Sequence, residues 1–97
     1  VAHVGLTTAG TIGAAVALSL DDAIAMVLEI AEAGRSVRED ILVICHGGPF
    51  DEPDNVGIAL ERMPNVAGFF GASSIERLPT ERAIRGQVEA FKSLKLG

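Results

Sequence analysis

Cysteine is nearly absent from this sequence, with one residue, Cys45, among 97. A lone thiol excludes an internal disulfide framework and suits a reducing compartment, so a cytoplasmic location is expected. Tryptophan and tyrosine are missing altogether. Eight Lys and Arg stand against thirteen Asp and Glu, for a net charge of −5, and both signs are mixed along the chain. Neither a basic stripe nor an aromatic platform is on offer, so no nucleic-acid partner is expected. Long apolar runs are missing too. None approaches the roughly 20 residues that span a bilayer, which removes the membrane as an expected partner. No basic segment followed by a long apolar one opens the chain, and no signal peptide is expected. There is no initiator Met, and VAHVGL begins like the middle of a strand. A piece of a longer protein is the expectation.

What the sequence does have is apolar material in short runs, 48% of its residues, punctuated by eleven Gly and four Pro. Ile41–His46 (ILVICH) is an unbroken, β-branched run that leads into Gly47, Gly48 and Pro49. Runs of this kind mark strands buried on both faces, as in parallel sheets. Val66–Phe70 (VAGFF) runs into Gly71 in the same way, and Val1–Gly5 (VAHVG) reads as a third strand. Between the runs the apolar period becomes helical. Leu20, Ile24, Val27, Leu28 and Ala31 form one stripe, with Ser19 as N-cap, Asp21 and Asp22 in the first turn, and Gly34 as the stop. Val56, Ala59, Leu60 and Met63 form a second stripe, begun near Asp51–Pro53 and ended by Pro64. Ile84, Val88, Phe91 and Leu94 form a third, opened by Pro79 and Thr80.

The order is β-α-β-α-β-α, which predicts an α/β fold of parallel strands joined by right-handed crossovers. Residues 1–97 read as one partial domain. Three parallel strands leave two free edges, so either further chain or other copies of this one should cover them, and a homo-oligomer or the remainder of a longer chain is the expected partner.

The loops that follow the strands carry the polar residues. After the first come Thr7, Thr8, Ala9, Gly10 and Thr11, whose small side chains and backbone N–H groups suit an anion. The spacing fits neither a P-loop nor a dinucleotide fingerprint, and an ordinary turn explains it as well. After the second come His46, Gly47 and Gly48, where paired glycines either let a ligand approach the backbone or make a turn. Alternation puts Leu42, Ile44 and His46 on one face and Val43, Cys45 and Gly47 on the other. His46 then sits at a strand's C-terminal end, and Cys45 packs against helices as an inert thiol. After the third come Gly71, Ala72, Ser73, Ser74, Ile75, Glu76 and Arg77. Ser73 and Glu76 have capping-box spacing, so a short helix is expected there. A Gly-Ala-Ser-Ser turn ahead of an extra short helix is how β/α barrels hold phosphate after a last strand, and Arg77 would add charge. Plain capping, with Arg77 paired to a surface acid, is the competing account. His3, near the end of the first strand, either is a structural histidine or converges with His46, as metal ligands or an acid–base pair would need. Asp51 and Glu52 are candidates beside it, though N-capping explains both. No metal site assembles from these residues, and the cofactor is left unknown by the sequence.

Taken together, HVGLTTAGTIG, CHGGP and GFFGASSIERLPTE resemble the closing segments of the TIM-barrel family described as phosphoenolpyruvate-hydrolase-like or indole-glycerol-phosphate-synthase-like. The resemblance covers essentially the whole chain, with Ala9 standing where the family commonly has Gly. It implies strands six to eight, the C-terminal three units of a (β/α)8 barrel, which periodicity alone does not number. It also implies that five β-α units, with any groups they carry, lie elsewhere. The family's labels (hydrolase-like, dioxygenase, signal transduction) disagree on the reaction. One expectation is a hydrolase- or lyase-like enzyme acting on a small phosphorylated or carboxylated metabolite, and the other is a ligand-sensing or partner-binding module without catalysis. A small anionic metabolite is the expected ligand. Candidate acid–base groups are His46 and His3. Candidate anion ligands are Thr7, Thr8, Gly10, Thr11, Gly47, Gly48, Gly71, Ser73, Ser74 and Arg77.

Overall fold

A computed structural model of the chain describes residues 1–6 and 18–95. Strands β1 (Ala2–His3), β2 (Ile44–His46) and β3 (Gly68–Phe69) alternate with helices α1 (Leu20–Val37), α2 (Pro53–Arg62) and α3 (Arg77–Lys92). All the pairings are parallel, in the order β1-β2-β3, so the expected succession of β-α units is present as an open sheet, consistent with part of a barrel. The regular strands are shorter than the apolar runs. The ladder nevertheless continues past them through Val4 N–H to the His46 carbonyl (3.0 Å), Ala67 N–H to Val43 (2.7 Å) and Phe70 N–H to Cys45 (2.9 Å).

Ser19 caps α1 as its position predicts, its hydroxyl accepting from the Asp22 N–H at 3.1 Å. Gly34 does not stop the helix. The Arg38 N–H closes on the Gly34 carbonyl at 3.0 Å, and α1 runs on to Val37. A helix-interior glycine costs roughly 0.5–1 kcal/mol against alanine, and the buried stripe Ala23, Ile24, Val27 and Ala31 more than offsets it. Pro53 opens α2 at a position whose N–H would have no partner anyway, and the helix ends ahead of Pro64. At the third unit the expected boundary shifts. Residues 73–76 form turns rather than a separate short helix, and α3 begins at Arg77 with Pro79 inside its first turn. Proline is tolerated there because the N–H it lacks would be unbonded in any case.

The core lies on one side of the sheet. Ala2, Val4, Val43 and Cys45 meet α1 through Ala23, Ile24, Val27 and Ala31, and α2 through Ala59 and Met63. Cys45 is fully buried, as alternation requires, and burial pushes its thiol above the usual range. On the opposite face Leu42 is 80% exposed and His46 half-buried. α3 departs from the pattern of the first two helices. Only Leu78 is buried, and its predicted stripe (Ile84, Val88, Phe91, Leu94) lies open among the described residues. Surface ion pairs link the helices: Arg62 to Asp21 at 2.6 Å joins α2 to α1, and Arg82 to Glu52 joins α3 to the start of α2. Among the described residues no helix is long and apolar enough to cross a membrane.

Candidate functional site

Parallel strands send all their C-terminal ends to one edge, and the register fixes which side chains meet there. Ala2 pairs with Cys45 and His3 with His46, so the two histidines are direct neighbours on the face away from the helices. Their ring centroids lie 5.1 Å apart at a tilt of 49°. Phe70, just past β3, meets the His46 ring in a T-shaped contact with 5.0 Å between centroids. The Phe70 carbonyl lies 2.6 Å from His46 Nδ1. On the other ring, the Gly5 N–H donates to His3 Nδ1 at 3.4 Å. His3 is exposed and His46 partly so, which leaves the pair open to a ligand.

Gly47 and Gly48 are buried and have φ of +86° and +55°. A Cβ on Gly47 would fall on the Gly5 carbonyl oxygen, and one on Gly48 would stand 2.9 Å from the Val4 carbonyl oxygen. The Gly48 N–H donates to that same Gly5 carbonyl at 2.8 Å. The missing side chains therefore let the first two strand-end loops close on one another, which is the turn reading of this pair.

The third loop folds back through its own carbonyls. Ala72 accepts from Ile75 and Glu76, and Ser73 accepts from Arg77 and Leu78, at 2.8–3.0 Å. Among the described residues no backbone carbonyl accepts from the N–H groups of Gly71, Ala72, Ser73 or Ser74. Glu76 is the N-cap of α3 and makes no side-chain cap bond, so the capping-box pattern is not how this helix begins. Arg77 pairs with Glu81 at 3.0 Å, one turn along α3. Gly71 packs tightly, since a Cβ there would meet Ser74 Oγ at 2.7 Å and Phe69 Cε1 at 2.9 Å.

Ser74 takes a different side of the sheet from the histidines. Its Oγ is buried without a hydrogen-bond partner and borders a cavity of about 390 Å³ between α2, β3 and the third loop. Phe69, which shares the Cys45 face, and Val56, Leu60 and Ile75 make the apolar walls. Asp51 and Glu52 stand at its rim. Neither caps α2 through its side chain: Asp51 accepts from Asn55 at 3.1 Å, and Glu52 bonds Arg82, which holds its carboxyl below the ordinary range. Among the described residues no three metal-ligating side chains cluster.

The structure thus brings His3 and His46 together, and sets Gly47, Gly48, Gly71, Ser73, Ser74 and Arg77 along the same strand-end edge. Thr7, Thr8, Gly10 and Thr11 lie outside the described residues. Sequence reasoning missed Phe70 and Gly5, because their contribution to the histidines is a backbone carbonyl and a backbone N–H, which no residue type announces.

The family model described as phosphoenolpyruvate hydrolase-like matches residues 1–94. Two tomato (Solanum lycopersicum) proteins, the ToMV susceptible protein tm-1(GCR26) and the ToMV resistance protein Tm-1(GCR237), are each 47% identical over 96 residues. Those matches take in 99% of this chain and only 13% of either tomato protein, so the chain spans a small part of their length. With the match running from β1 to the end of α3, the chain belongs to the phosphoenolpyruvate hydrolase-like family.

Proposed function

We propose that the chain is the closing part of a (β/α)8 barrel, residues 1–97 being a partial domain, and that the whole barrel is an enzyme acting on a small phosphorylated or carboxylated metabolite. The observation that carries this reading is the His3–His46 pair, set side by side at the C-terminal ends of adjacent parallel strands. That edge is where barrels place their chemistry. His46 serves in proton transfer. The 71–74 segment, with four N–H groups that no described carbonyl takes, is the anion cradle, and Arg77 adds positive charge at its far end. Ser74 contributes through its N–H rather than its hydroxyl, which faces the apolar cavity. The five remaining β-α units come from the rest of a longer chain and cover the open sheet face, and the lone thiol of Cys45 suits a cytoplasmic location.

The test is calorimetry on the full-length protein with inorganic phosphate and small phosphorylated acids. Gly71→Val drives a side chain into Ser74 and Phe69 and should abolish binding. Arg77→Ala should weaken it and reduce its salt dependence. Ser73→Ala should leave anion affinity largely in place. A parent that binds none of these anions, or a Gly71→Val variant that binds like the parent, defeats the reading.

A second reading is a ligand-sensing or partner-binding module without catalysis, active in signal transduction. The name of the tomato relative, a ToMV resistance protein, favours it, since that role names no reaction. A protein that binds a phosphorylated acid, and in which His46→Asn leaves every cellular readout unchanged, would fit this second account.

A further inference from the structure

An imidazole in its neutral form has one ring nitrogen that donates and one that accepts, and whatever occupies the first settles the second. For His46 the neighbour is the Phe70 carbonyl, 2.6 Å from Nδ1. A carbonyl oxygen only accepts, so the proton is on Nδ1 and Nε2 carries a bare lone pair. For His3 the neighbour is the Gly5 N–H, 3.4 Å from Nδ1. An amide N–H only donates, so this contact favours, in the neutral ring, an acceptor at His3 Nδ1 and the proton on Nε2. Two histidines in register on one sheet face therefore meet backbone groups of opposite kind, a carbonyl at His46 and an N–H at His3, which favour opposite tautomers in the neutral rings.

Direction completes the arrangement. The two nitrogens of an imidazole point to nearly opposite sides of the ring. His46 turns Nδ1 toward β3, so its Nε2 is directed away from β3, on the side where β1 and His3 lie. Among the described residues no hydrogen bond joins the two rings, whose centroids lie 5.1 Å apart.

We infer that His3 and His46 form a matched donor–acceptor pair for a ligand bearing a hydroxyl next to a carboxylate or carbonyl oxygen. His3 Nε2–H donates to that oxygen, and His46 Nε2 accepts from the hydroxyl. This rests on the reading of the strand ends as a ligand site and narrows its ligand to a 2-hydroxy acid or its hydroxyketone counterpart. A ligand offering two acceptors meets a lone pair at His46 and is disfavoured, because an acceptor facing a lone pair is left unsatisfied. In the complex the hydroxyl proton is already hydrogen-bonded to His46 Nε2. Transfer along that bond breaks O–H, forms N–H and leaves the electron pair on the ligand oxygen. The imidazolium so formed keeps its Nδ1–H on the Phe70 carbonyl. Phe70 is thus a positioning residue, acting on the ligand only through His46.

The experiment has two arms on the full-length protein. Neutron diffraction locates the ring deuterons, expected on His46 Nδ1 and His3 Nε2; the reverse placement on either ring overturns the inference. Calorimetry compares 3-phosphoglycerate with its 2-deoxy and 2-oxo analogues, and the hydroxy acid should bind about tenfold more tightly, the value of one well-made hydrogen bond. Equal affinity for all three also overturns it. His46→Asn keeps a donor for the Phe70 carbonyl but leaves no acceptor at the Nε2 position, so it should bind the three compounds alike; retained preference counts against His46. Should none of the three bind the parent, the phosphorylated-acid reading falls. The deuteron positions then decide the histidine assignment alone.

Discussion

Gly47 lies directly against the Gly5 carbonyl, with its α-carbon facing the oxygen and no room for a methyl group between them. The contact ties the ends of β1 and β2 together within two residues of both histidines. Gly47→Ala should therefore destabilise the full-length protein by roughly 1–3 kcal/mol from the φ of +86° alone, and by more if the loops are forced apart. Thermal unfolding checks this. A variant as stable as the parent would mean that the loops do not close as described.

Cys45 should be silent toward thiol reagents in the native protein and react only as the protein opens, because it is fully buried. Cys45→Ser buries a hydroxyl among apolar neighbours and should cost about 1–3 kcal/mol. Burial raises the thiol in the folded state, so the unfolded chain ionises first. Stability should then decline as pH rises past the ordinary thiol range, and Cys45→Ala should remove that part of the decline. Alkaline denaturation of the parent and the alanine variant measures it.

Glu52 shows the opposite sign. Its hydrogen bond to Arg82 depresses the carboxyl in the folded state, so the stabilisation is present above the ordinary glutamate range and disappears as pH falls through the lowered value. Arg82→Gln should be slightly less stable than the parent near neutrality and indistinguishable from it in strong acid. The pair is exposed, so the difference at neutral pH should be small and shrink in high salt.

Residues 1–97 produced alone should self-associate, because Ile84, Val88, Phe91 and Leu94 present an apolar stripe along α3 and the sheet edges are free. Val88→Ser with Phe91→Ser should reduce the association seen by sedimentation. The same pair in the full-length protein should lower the melting temperature, since there the stripe is expected to be covered. A monomeric, cooperatively folding isolated chain would overturn this.

Most of the architecture could be read from residue patterns, and the exceptions share a cause. The β-α alternation, the Ser19 cap, the opposite faces of Cys45 and His46, and the Pro53 and Pro64 bounds of α2 all follow from period and local chemistry. Gly34 read as a stop because glycine is a poor helix former, but propensity yielded to a well-buried stripe. The Ser73–Glu76 spacing read as a cap, whereas the turn is closed by the Ala72 and Ser73 carbonyls. At the site, His3 and His46 were visible as residue types. Their being opposite one another was not, because register depends on strand pairing across some forty intervening residues. The groups that orient them belong to the backbone of Gly5 and Phe70 and have no signature in the sequence.

The direct opposition of residues 3 and 46 makes this edge sensitive to parity. A codon inserted within β2, between Ile44 and His46, would carry the second histidine to the helix side and drop it among the apolar neighbours of Cys45. Two inserted codons would return it to the correct face but one step out of line with its partner. Length variation in this family should therefore accumulate in the loops that precede the strands. The residues of β2 up to His46 should keep a constant length, even where their identities drift.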